Sequence, residues 1–286
     1  MHISKVLLLL AALTAGTLAR PHGHERRHAH FHNMEALEKR HGVAASSSAI
    51  HSPSPTPSSS SSSSSGGDWT AIPASGSFST AGFGASTSPS GSSGSVTYEG
   101  NVGNPWGSNI IEVSESEASQ YKYVAQFKGS NTDPWIVVFW NKYGPDGKMD
   151  GWYGHSALSF TLNAGETKYV AFAEDSQGGW GAAPGSSLPT DSNGGYACTW
   201  GEFDFGNTGN NGWSGYDVSA IQAQAAGKQV QGMKICQAPS TDCSYITTNA
   251  AQVVNAYTQA NSGQNGIGGN IPAGAVRLAV EIDYNG

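Results

Sequence analysis

Cysteine is scarce in this 286-residue chain: three residues permit one intramolecular disulfide at most and leave a thiol over. Charge is scarce too, at 12% of residues, and the composition excludes a helical bundle. No apolar run beyond the N-terminus approaches the length of a membrane-spanning helix, so no membrane partner is expected. No Asn-x-Ser/Thr acceptor with x other than Pro occurs. Histidine nearly vanishes after His51, beyond which His155 alone remains, which leaves little material for a histidine-based triad or metal centre. No cofactor and no resident metal are expected.

What is abundant points elsewhere. With 38 Gly, 8 Trp and 11 Tyr the chain reads as a turn-rich β protein. The net charge is -7, of which the first forty residues carry +3, leaving -10 on the rest. An acidic body repels phosphate backbones, so nucleic acid is not an expected partner.

The chain divides by composition. Residues 1–19, with Lys5, the apolar run Val6–Leu13 and small residues ending at Ala19, read as a secretory signal, hence an extracellular, oxidising destination. Residues 20–40 are basic and His-rich. A metal-binding tract is one reading, and a pro-segment cut after Lys39-Arg40 or Arg26-Arg27 is the better one, since processing segments follow signals. Cutting after Arg40 frees His41 as an N-terminus. A copper-binding histidine brace with His51 or His155 is disfavoured because residues 41–67 form a Ser/Pro-rich linker that cannot pin it. Residues 68–95 are a Gly/Ser-rich arm interrupted by Phe78 and Phe83. The compact domain spans 96–286.

Within it, Val96–Tyr98 can be a strand, and Ser114 with Glu117 has capping-box spacing for a short helix through Tyr121. Tyr123–Phe127 and the continuously apolar Trp135–Asn141 read as strands, the latter buried on both faces. Tyr143 to Lys148 is a turn; Asp146 and Asp150 suggest turn chemistry more than calcium. Trp152–Leu162 is a strand-pair candidate and Lys168–Glu174 a strand. Asp175–Gly195 reads as a long loop carrying Trp180. Gln229–Cys236 is a strand, Tyr245–Ala260 a helix capped by Ser244, and Ala275–Tyr284 a closing strand. Cys236 and Cys243 can close a disulfided loop, leaving Cys198 as a buried thiol. The expected fold is all-β, an antiparallel sandwich or jelly roll with one or two short helices.

The organising stretch is Gly194–Ala223, a strand–turn–strand. Trp200, Phe203 and Phe205 supply the first apolar run; Trp213, Tyr216 and Val218 supply the second. Among them sit Glu202, Asp204 and Asp217. Acids on such strands either face water or line a concave site. As a sugar site, Glu202 and Asp217 supply acceptors, and Trp180 and Trp213 supply flat rings. As a hydrolase, Glu202 with Asp217 or Asp204 supplies the paired carboxylates; Glu202 and Asp204 share a strand face about 6–7 Å apart. As a purely structural hairpin, the rings are core and the acids are solvated.

The hairpin strings Gly201-Glu202-Phe203 and Tyr216-Asp217-Val218-Ser219 resemble the thaumatin-like proteins. That resemblance implies an acidic cleft that binds β-1,3-glucan, although the many-cysteine framework is absent. A wider resemblance rests on GNVGNPWGSNIIEVS (100–114), DPWIVVFWNKYGPDG (133–147), GETKYVAF (165–172) and CTWGEFDF (198–205). These, with the leader, basic segment and linker, are similar to the secreted allergen f 4 family of Aspergillus fumigatus. The resemblance implies an extracellular fungal protein that binds host IgE, with no known enzymatic activity. It also implies a cysteine ahead of Gly82-Phe83-Gly84, where this chain has Ser79. The function expected is that of a non-catalytic wall or surface protein, with cell-wall polysaccharide and host IgE as partners; a β-glucan hydrolase and a ligand-free matrix protein are the alternatives.

Overall fold

The computed structural model describes residues 68–91 and 97–286; the leader, the His-rich segment and the linker lie outside the described residues. Two sheets face each other. One runs, in spatial order, β1 (Ile110–Val113), β5 (Thr167–Phe172), β2 (Tyr123–Gly129), β13 (Val276–Ile282), β9 (Met233–Gln237), β10 (Cys243–Ile246) and β11 (Val253–Val254). The other runs β12 (Gly269–Ile271), β8 (Trp213–Ser219), β7 (Trp200–Asn207), β6 (Ser176–Pro184), β3 (Trp135–Asn141) and β4 (Leu158–Leu162). All pairings are antiparallel except β13 with β2. Two short helices, α1 (Glu115–Ala118) and α2 (Ile221–Ala225), complete an all-β sandwich.

Strand alternation fills the space between the sheets. Phe127, Phe139, Phe172, Trp180, Phe203 and Phe205 meet there with Ile235, Leu278 and Val280, all at most 3% exposed. Phe172 stands 4.8 Å, ring centre to ring centre, from both Phe203 and Phe205. The outer faces are covered as well. Val138, Trp140, Trp152, Cys198 and Trp200 cluster outside the second sheet, which is why β3 is apolar on both sides. Outside the first sheet, Trp69 and Phe83 of the 68–91 arm pack against Tyr121, Val124, Tyr169 and Ala171. Arg277, 4% exposed, fastens that arm. Its guanidinium donates to the carbonyls of Ala71 (3.0 Å), Ser119 (3.2 Å), Lys122 (2.9 Å) and Val276 (3.0 Å).

Several expected elements are corrected. Asp175–Gly195 is no open loop: β6 occupies nearly half of it and lies in the middle of its sheet, buried up to Ala183. Two glycines of this sheet lie against rings. Gly179 pairs with Trp140, and Gly201 of β7 pairs with Trp180; a Cβ at either glycine would press into the facing indole. Tyr245–Ala260 is not a helix. It holds β10, a turn, β11 and a looping segment, because Ser244 is used inside the core, its hydroxyl accepting from the Val218 amide at 2.8 Å. Trp152–Leu162 yields only β4, and residues 97–98 form no strand. The helix after Ser114 has the capping box but stops at Ala118. Cys236 and Cys243 are joined across β9 and β10. Cys198 is a buried free thiol, pushed up to about 12 by desolvation. It lies outside the second sheet, whereas Ser79 bonds to Gln120 beside the first.

Two outcomes are expected. Arg277→Met should lower stability by roughly 2–3 kcal/mol, because four backbone carbonyls lose a charged donor. It should also open the 68–91 arm to limited proteolysis; an unchanged urea midpoint with an intact arm would contradict the clamp. Gly201→Ala should cost about 1–3 kcal/mol by overpacking against Trp180. The same change in a Trp180→Leu background should cost much less, read as a coupling in the double-mutant cycle.

Candidate functional site: an acidic floor on the second sheet

Alternation along β7 and β8 sends Phe203, Phe205, Tyr216 and Val218 inward, and Glu202, Asp204 and Asp217 outward. Glu202 and Asp217 are register partners. Directly opposed residues of an antiparallel pair hold their Cβ atoms about 4.5–5.5 Å apart. Asp204 faces Gly215 on one side and Gln177 on the other. The outer face thus carries two rows: Asp217, Glu202, Gly179 and Trp140; then Gly215, Asp204, Gln177 and Lys142.

These acids are not on a wet surface, as the solvated-hairpin reading expects. Glu202 is 4% exposed, Asp204 8% and Asp217 fully buried. Walls rise on both sides. On one side stand Trp140 and Trp200, their rings 5.1 Å apart and edge-on. On the other, the chain after β11 returns along β8: the Tyr257 amide donates to Val218 (2.8 Å), and the Ala220 amide to the Tyr257 carbonyl (2.9 Å). Gly268, held by two hydrogen bonds with the Asn255 side chain, passes against the Asp217 side chain. Burial raises the Tyr257 phenol above its ordinary range, and the charges of Asp217 and Glu202 push it the same way.

A polar network continues from the floor. Asp204 accepts from the Asn207 amide group at 2.8 Å. Lys142, 6% exposed, donates to the Tyr98 carbonyl (2.6 Å) and to Gln177 (3.0 Å). Asp175 accepts from the Tyr98 hydroxyl (2.8 Å) and the Thr208 amide (2.9 Å), and burial raises its pKa. The arrangement sets two carboxylate side chains next to each other on one sheet face, with a third on the same face.

The structure therefore brings together Glu202, Asp204 and Asp217 but not all their expected companions. Trp180 is fully buried between the sheets and offers no ring to a ligand. Trp213 is partly exposed and shares the acids' strand face, about 7 Å along β8 from the level of Asp204. Lys142, Gln177, Tyr257, Trp140 and Trp200 were not singled out in the sequence as site residues. The one local signal that could have found any of them is Lys142, a charge placed directly after the apolar β3 run. Asp146 serves its turn, accepting from the Lys148 amide at 3.1 Å, and His155 lies 3.8 Å from Asp150. Among the described residues no group of three His, Cys, Asp or Glu could hold a metal ion. None of the helices among them is long and apolar enough to cross a membrane.

The Allergen Asp f 4-like domain model matches residues 108–282. Allergen Asp f 4 of Aspergillus fumigatus (strain ATCC MYA-4609 / CBS 101355 / FGSC A1100 / Af293) is 52% identical over 322 aligned positions, spanning 99% of each chain. Among solved structures, the protein elicitor MoHrip2 from Magnaporthe oryzae matches with a TM-score of 0.35 and 12% identity, over 57% of this chain and 99% of that one; so low a score bears on neither fold nor function. The domain match and the near full-length identity establish that the chain belongs to the Allergen Asp f 4-like family.

Proposed function

We propose that the protein is an exported, non-catalytic surface or wall protein that binds neutral glycan on the acidic floor of its second sheet. The leader-like residues 1–19 and the Ser/Pro-rich 41–67 motivate export and tethering. The observation that carries the reading is the register of Glu202 opposite Asp217, with Asp204 on the same strand face, between Trp140 and Trp200 on one side and the Tyr257 segment on the other. Sugar hydroxyls donate to carboxylates, and the partly exposed Trp213 on the same strand face offers a ring to a sugar's apolar face. IgE binding in sensitised hosts is extended to this chain from its relative's name; it is a property of an exposed, stable surface.

The test is retention on insoluble β-glucan and on chitin. Wild type should be retained, and Glu202→Gln with Asp217→Asn should reduce retention at least tenfold while the urea midpoint holds or rises. Retention of the double variant equal to wild type would remove the floor from the reading.

One observation favours a second reading, hydrolysis of β-glucan. Glu202 and Asp217 are direct cross-strand partners, a placement with Cβ atoms about 4.5–5.5 Å apart from which two carboxyl groups can reach the roughly 5–5.5 Å separation of retaining glycosidases. Reducing-sugar release by wild type, abolished in Glu202→Gln, is the expected outcome if the pair is catalytic; equal release by both proteins dismisses it.

A further inference from the structure

On the far side of the sandwich from the acids, β9, β10 and β11 carry an open groove of about 460 Å3. Alternation builds it: Met233, Ile235 and Ile246 turn into the core, while Lys234 and its register partner Tyr245 turn out. Tyr284, just past β13, sets its ring edge-on to Tyr245 at 5.3 Å. The Lys234 ammonium stands 4.7 Å from the Tyr284 ring centre and 5.9 Å from that of Tyr245. The Cys236–Cys243 disulfide, two residues along on the same face, ties the two strands beneath the groove and makes it a preformed surface.

The cation is the feature that selects a ligand. Among the described residues Lys234 makes no hydrogen bond or ion pair, so two rings position it while its three N–H donors remain for a guest. Its neighbour in register on β13, Glu281, accepts instead from the Ser130 hydroxyl at 3.0 Å. No carboxylate lines the groove. The complement of a ring-held ammonium is a single anionic group. The chain's net charge of -7 opposes a polyanion but not one carboxylate. Two tyrosine rings with their hydroxyls suit the faces and hydroxyls of a sugar. Val254 is the one aliphatic side chain in the lining, too little apolar surface to anchor a peptide. The volume lies within the roughly 300–1,000 Å3 of small-molecule sites.

We propose that this groove is a saccharide site, separate from the acidic floor, that takes a uronic acid residue: carboxylate on Lys234, sugar ring against Tyr245 and Tyr284. It does not depend on the glycan reading of the acids. The probe is an aldobiouronic acid, a uronic acid joined to one neutral sugar, titrated by calorimetry and by shifts of the tyrosine ring resonances. The expected result is saturable binding that moves the Tyr245 and Tyr284 signals. Binding should weaken at least tenfold for the carboxyl-reduced disaccharide and for Lys234→Met, and stay unchanged in Glu202→Gln. The reduced disaccharide is tested on wild type, so this arm needs no variant to fold. No saturable binding, equal affinity for the reduced sugar, or loss of binding in Glu202→Gln overturns the proposal. So does equal affinity for a glutamate-containing tripeptide, which would mark the lysine as a general anion contact.

Discussion

Large rings laid across glycines on the neighbouring strand are the contact on which this sandwich depends. Trp180 faces Gly201, Trp140 faces Gly179, and Tyr216 faces Gly269, each as a direct register pair. In each case a Cβ on the glycine would overlap the ring. A glycine in a strand interior weakens it through entropy and lost packing, and an aromatic ring folded over it restores the lost contact. The three pairs span β3, β6, β7, β8 and β12 and alternate between the inner and outer faces. They let a sheet with many glycines be close-packed on both sides. They also fix register, because a one-residue slip would put a ring against a side chain.

That contact also explains which parts of the fold were legible in the sequence. Trp135–Asn141 and Ala275–Tyr284 stood out because their apolar patterns are continuous or strictly alternating, and both are strands. Ser176–Pro184 was hidden because SQGGWGAAP has the composition of a loop. Its strand character comes from rings contributed by other strands, invisible to any local window. The same blindness made Trp180 look like a candidate sugar platform when it is a core ring. Tyr245–Ala260 failed for a different reason. Ile246, Ala250, Val253, Val254 and Tyr257 fall at helical spacing, yet Ser244 and Ile246 go into the core as strand residues and both valines stay exposed. Tertiary context overrode a weak period. At the site, the hairpin and its three acids were readable, since strand alternation alone puts Glu202 and Asp204 on one face. Their burial was not, because the covering walls come from Trp140, sixty residues earlier in the chain, and from Tyr257, forty later.

The two outer faces differ in chemistry because different parts of the chain cover them. The first sheet is sealed at one end by the 68–91 arm, held by Arg277 and the Trp69–Tyr169 contact. Its other end, past the disulfide, is left with Lys234 between tyrosines. The second sheet is sealed by its own tryptophans on one side and by the returning 255–268 segment on the other. Between those covers lies the floor of Glu202, Asp204 and Asp217. Each face thus combines a packed half with a polar half, and each polar half borders aromatic rings.

The acids are poorly accounted for by stability. Carboxylates directly opposite each other repel, and taking a carboxylate out of water costs roughly several kcal/mol before its contacts offset it. A face that needed only to be sealed could continue the Trp140–Trp200 cluster with apolar side chains, at no electrostatic cost. Placing Glu202, Asp217 and Asp204 there, with Lys142 and Gln177 in the adjoining row, builds a preorganised polar surface within a largely apolar cover. On the proposed glycan reading, this arrangement has its return when the sugar arrives, because the groups are already desolvated and little freedom is left to lose. The glycine–aromatic contacts supply the rigidity: they hold β7 between β6 and β8 closely enough that the register of two carboxylates is a property of the fold rather than of their own side chains.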